Sequence, residues 1–360
     1  MKSLDTVSSG GPEKPTLIER LVTAFPLPYA AASLAIAVLI GPPLQLLAAY
    51  FDTKSIGLAL KYTINTPPNS AVAGTVSSLQ GTINQTIWFS TIFLTIYLIR
   101  LMRSRIVEFE PKLVPVLPLG EETFHRAFGG VSKRIPQVLI GVPFFLLSIP
   151  YILQPTINIG WVSLLFQLLS NGVVGIMFGS FIWVYFRSLW GIYRLGNEPL
   201  KLKSHYEDHM LGVRPIGSIS LTLFAAYSSV IVLGSIALLL SPDLLGTVAL
   251  IVMVVFGVAM FFIPLNSVHK TMVEQKLSQM VKVQQEFIRL TNSAAEQIPD
   301  RAEKILGQLR DTQILQINRD YVSRLPTWPS DTPILGKFAA IALSVAAILI
   351  SKIISLPFRI

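Results

Sequence analysis

Residues 161–186 read WVSLLFQLLSNGVVGIMFGSFIWVYF, twenty-six consecutive positions without a charged side chain. A helix needs about 20 such residues to cross the roughly 30 Å of a bilayer's hydrocarbon core. Five more uncharged apolar runs accompany it, at 29–50, 83–99, 135–153, 216–240 and 244–265. A seventh, 335–356, has a shorter uncharged centre, Phe338 to Ser351. It spans if Lys337 and Lys352 extend to opposite interfaces.

Composition points the same way. Hydrophobic residues make up 52% of the 360 positions and charged residues 14%, with a mean hydropathy of +0.59. A soluble domain carries about 25% charged residues. Disorder, nucleic-acid binding and the chemistry of an ordinary cytosolic enzyme are excluded as classes. The expectation is an all-α, polytopic transmembrane helix bundle of six or seven spans, with the lipid bilayer as its first partner.

Orientation follows from where the cations fall. With the N-terminus inside and seven spans, 25 of the 29 Lys and Arg residues lie on the inner side, leaving Lys54, Lys61, Lys352 and Arg359 outside. Cytoplasmic loops collect Lys and Arg, so the N-terminus is expected in the cytoplasm and the cell membrane is the expected location. Residues 1–28 read as a polar cytosolic tail, 29–265 as the transmembrane bundle, 266–333 as a cytosolic helical hairpin and 334–360 as a C-terminal membrane helix.

The hairpin rests on two amphipathic patterns. Val273, Leu277, Met280, Phe287 and Ala294 recur at heptad-like spacing, interrupted by Gln284 and Thr291. Pro299 breaks the pattern. Asp300 and Glu303 then stand at the spacing of a capping box. A second stripe follows in Ala302, Ile305, Leu309, Ile314, Ile317 and Tyr321. Apolar stripes on two consecutive helices predict a coiled-coil-like pair. Residues 267–325 are therefore expected to hold a second copy of the chain or a cytosolic protein.

Few side chains offer chemistry. The chain has no cysteine, which removes thiol nucleophiles, disulfides and Cys-based metal sites. No G-x-S-x-G, P-loop, dinucleotide-binding or H-E-x-x-H pattern occurs, and no cofactor is expected. His205 and His209, four apart with Glu207 and Asp208 between them, are the one metal-like pair. His125 or His269 would be the third ligand.

Inside the spans, Gln167 and Asn171 share a helix face and read as a polar face at membrane depth. Gly172, Gly175 and Gly179 follow as a small-residue seam for close helix packing. Pro136, Pro143 and Pro150 recur every seven residues, and Gly41-Pro42-Pro43 interrupts the first run. Ionisable residues are nearly absent from the span interiors, which argues against energised transport. Two functions remain: a non-catalytic interaction or signal-relay protein, and a passive channel or facilitator for ions or small solutes.

Overall fold

The computed structural model describes residues 14–55, 78–152, 160–201, 212–240, 244–296 and 332–355, with scattered positions between 310 and 328. Its elements among these residues are helical. They are α1 (Leu17–Thr23), α2 (Tyr29–Ile40), α3 (Pro42–Thr53), α4 (Ser78–Leu113), α5 (Glu121–Phe128) and α6 (Arg134–Ile152), followed by α7 (Trp161–Gly196), α8 (Arg214–Leu240), α9 (Leu244–Glu296) and α10 (Thr332–Ser355). A short 3₁₀ turn, Val114–Val116, ends α4. Four helices are long and apolar enough to cross a membrane, within Thr86–Val116, Trp161–Gly196, Arg214–Ile236 and Ile251–Arg289.

The stretch 161–186 sits at the centre. α7 touches α1, α3, α4, α5, α6, α8 and α9, and α6 lies most closely along it. α4 and α10 pack against α8, and α9 closes the bundle against α7 and α8. Ile92, Ile96, Ile99, Met177, Phe181, Val184, Leu223 and Phe261 fill the interior. Leu139, Leu147, Leu165, Leu169, Val252, Val255 and Leu343 point outward. An apolar exterior on long apolar helices suits a lipid surround.

Three helices outrun the membrane. α4 and α7, at 36 residues each, are about 54 Å long. α9, at 53 residues, is about 80 Å long and continues through Pro264. The sequence pattern ends a span at Leu265 and starts a separate helix after it. In the structure one helix covers both.

The first run is broken where Gly41-Pro42-Pro43 predicts. α2 and α3 have 12 residues each, and each alone is shorter than the hydrocarbon core is thick. A side chain at Gly41 would overlap the Phe89 ring, so α4 crosses at this break. The Ser170 hydroxyl donates to the Ile40 carbonyl at 3.1 Å, giving a partner to an acceptor at the helix end.

Pro143, in the middle of α6, is not turned into the bundle. It is exposed, while Gln137 and Gly141 on the other side of the helix are buried against α7. The polar N-terminal segment is also more than a tail, because its second part folds as α1 and packs on α2, α4 and α7.

Arg100, Arg103, Lys133, Arg134, Arg187 and Arg194 gather at one end of the bundle, called here the basic end. The N-terminus of α7 and the C-terminus of α3 lie at the opposite end. There the Asp52 carboxylate accepts from the Val162 and Ser163 amides at 3.3 and 2.9 Å. It caps α7 from another helix.

Candidate functional site

The segment that follows Leu265, called here the excursion, has its root on the last turns of α7. Ser267 donates to the carbonyls of Pro264, at 2.7 Å, and Tyr193, at 3.2 Å. Thr271 donates to the Gly196 carbonyl at 2.6 Å, and the Gln275 amide donates to Leu200 at 3.2 Å. A side chain at Gly196 would overlap Ser267, so α7 and α9 meet almost backbone to backbone. These bonds follow immediately after Pro264, where the helix lacks a backbone N–H. They fix the direction in which α9 leaves the bundle.

Beyond the root, α9 has two unlike faces. Met272 is buried, and Met280 and Val283 pack against the core cluster to which Val322 belongs. Leu277, Val281 and Ile288 are 57%, 51% and 49% exposed. At 100° per residue these three lie within about 40° of one another. Leu277, Val281, Gln284 and Ile288 thus form one exposed line on α9, and Phe287 beside it is exposed as well. Met280 leaves the Val273-Leu277-Met280-Phe287 line that the spacing picks out, because it turns toward the core. Ala294's side chain, and with it Ala302, Ile305, Leu309 and Tyr321, fall outside the described residues. Ile314 and Ile317 are helical and exposed.

The chain returns to the point it left. The Trp328 ring stacks on His269, with centroids 4.4 Å apart and planes at 19°. α10 then enters the bundle, where Phe338 stacks on Phe261 at 4.2 Å and touches Phe224 at 4.8 Å.

A buried polar cluster braces the same end. Thr16 and Glu19 form a capping box around the start of α1. Glu19 is only 1% exposed, and both its oxygens accept from Arg103 Nε at 2.9 Å. A buried carboxylate requires such a partner. The Gln137 side-chain oxygen accepts from the Leu17 amide at 3.2 Å and from the Ser180 hydroxyl at 3.1 Å. This one amide group therefore joins α1, α6 and α7. Ser132 donates to the Lys14 carbonyl, and Tyr29 donates to Ile96 at 3.1 Å beneath the Arg100 guanidinium, 4.3 Å from its ring. Arg187 and Trp183 hold the Gly129 and Gly130 carbonyls. The sequence signal for this brace was Thr16-Leu17-Ile18-Glu19, the S/T-x-x-E order, which the linear reading passed over.

The small-residue seam is uneven. A side chain at Gly179 would overlap the Gln137 carbonyl and the Gly141 backbone. At Gly175 it would stand 2.9 Å from the Gly141 carbonyl, and at Gly172 it meets nothing within 4 Å among the described residues. Gly172 and Gly179 lie about 20° apart around the helix, and α6 continues to Ile152. Among the described residues, then, Gly175 and Gly179 make the close approach to α6, and Gly172 faces open space. Asn171 stands beside that gap, half-buried, and its amide donates to the Gln167 backbone carbonyl at 2.8 Å. The two amide side chains share no bond across a helix interface among the described contacts.

His205 and His209 lie outside the described residues. Their two suggested companions are apart in role: His125 is 3.3 Å from Glu110, and His269 stacks on Trp328. No group of three metal-ligating side chains occurs among the described residues. The cavity bounded by Phe224, Tyr227, Ile231, Val254, Gly257, Ala342 and Val345 measures about 20 Å³. That is room for one water, not for a small-molecule ligand. Comparison with known proteins finds no matching family model, no matching curated protein and no matching solved structure.

Proposed function

We propose that this chain is a multi-pass integral membrane protein with its N-terminus in the cytoplasm, seated in the cell membrane. Six or seven spans form the bundle. The broken α2–α3 pair counts as one, with α4, α6, α7, α8, α9 and α10 as the others. Its role is non-catalytic. The excursion 266–333 binds a second copy of the chain or a cytosolic protein, and the bundle anchors and biases it.

The observation that carries this reading is α9. One continuous helix is packed as a membrane element in its first part and carries an exposed apolar seam in its second. Helical continuity makes the two parts move as one lever. The side-chain bonds at Ser267, Thr271 and Gln275 tie that lever to α7. The His269–Trp328 stack supports a hairpin that leaves and returns at one point.

Replacing residues 276–323 with a short Gly-Ser linker tests it. The shortened chain should still insert and fold while losing its assembly or its partner, read as native mass in mild detergent and by affinity isolation from membranes. A shortened chain with unchanged mass and partners overturns the reading. The passive-channel alternative draws on Asn171 and Gln167 beside the gap at Gly172. Liposomes containing the purified chain that pass no ions or small solutes would remove it.

A further inference from the structure

Resting on that reading, we infer that the occupant of the α9 seam is a second copy of this chain, paired in parallel. The seam has the layout of a two-stranded coiled coil. With Val281 and Ile288 taken as a positions, Leu277 and Gln284 fall at d. β-branched residues at a with Leu at d favour two strands, and a polar residue in the seam sets the register at some cost in stability. Gln284 supplies that polar layer.

Charge placement fits an identical partner. The positions flanking the seam are Ser278 and Gln285 on one side and Met280 and Phe287 on the other. None is charged, so between Leu277 and Ile288 two copies meet without like-charge repulsion. Lys276, Lys282, Glu286 and Arg289 fall at b, c and f, away from a twofold axis along the seam. Glu274 occupies the preceding a position and ends the apolar seam on the membrane side, so the pairing is confined to Leu277–Ile288. A heterologous partner is usually selected by charged residues at the flanking positions, and this helix has none there.

The membrane supplies the rest. Two copies inserted with the same topology hold each residue at the same height, so parallel, in-register pairing is the arrangement offered. From Leu277 to Ile288 the seam is only about 17 Å long. A seam so short is weak between free helices, but confinement in one membrane raises the effective concentration of the second copy.

The cysteine-free chain allows a direct test in native membranes, with the full-length protein and a copper–phenanthroline oxidant. Single variants Val281→Cys and Ile288→Cys should give about tenfold more disulfide-linked dimer than Lys282→Cys and Glu286→Cys, as expected for inward against outward heptad positions. Adding Ile288→Lys to Leu277→Cys should abolish its cross-link while the chain still inserts. Equal cross-linking all around the helix, or none at 281 and 288, overturns the inference. If cross-linking is absent but excision of 276–323 still releases a different protein, the broader interaction reading survives and self-pairing does not.

Discussion

At the basic end α6 and α7 meet with glycine against backbone, and toward the opposite end a side chain at Gly172 would meet nothing within 4 Å among the described residues. The ends differ in polar bonding too. The basic end is crossed by Glu19–Arg103, by Gln137 to Leu17 and Ser180, and by Ser267 and Thr271 to α7. Asp52 at the N-terminus of α7 and Ser170 at the α2–α3 break are the ties described toward the other end. Among the described residues the polar ties between helices gather where α9 departs, so the excursion is rooted in the most cross-braced part of the described bundle.

The strongest way to break that contrast is Gly179→Leu. The side chain has no space against the Gln137 carbonyl, so α6 must move. Overpacking of this kind costs about 3 kcal/mol or more. The variant should show the largest drop in thermal midpoint in detergent, or fail to accumulate. Arg103→Met comes next. It leaves the Glu19 carboxylate buried without its partner, at a cost of about 3 kcal/mol. Adding Glu19→Gln should restore part of the midpoint, because the buried charge is then gone.

Asp52→Ala probes the open end. Loss of a helix cap costs about 1 kcal/mol, so its midpoint should fall less than that of Arg103→Met. Gly172→Ala is the smallest and is expected to have the opposite sign. The added methyl meets no neighbour, and Ala exceeds Gly in helix propensity by up to about 1 kcal/mol. A Gly172→Ala protein as damaged as a Gly179→Ala protein would show that the two ends are equally tight.

The helices were legible because an uncharged run long enough to cross a bilayer has few alternatives, and the break at Gly41-Pro42 was legible because proline cannot complete the preceding turn. The seam was only half legible. Spacing puts Gly172, Gly175 and Gly179 on one face, but the angle between two helices is set by what fills the space between them, and no one-dimensional spacing records it. The Glu19–Arg103 pair was hidden for a related reason: its members stand 84 positions apart. The capping box marks where α1 starts and says nothing of the guanidinium that neutralises it. On α9 the heptad pattern was visible, while its outward face depended on Met280 turning toward the core.

The stacked rings of His269 and Trp328 have one more consequence. They bring the two feet of the excursion into side-chain contact, so the bundle experiences everything between them as a graft on a single stem. Grafts on adjacent feet can be exchanged for unrelated folded inserts without respacing the scaffold. The same stem could carry a fluorescent or enzymatic reporter, and the membrane part would keep its own architecture beneath it.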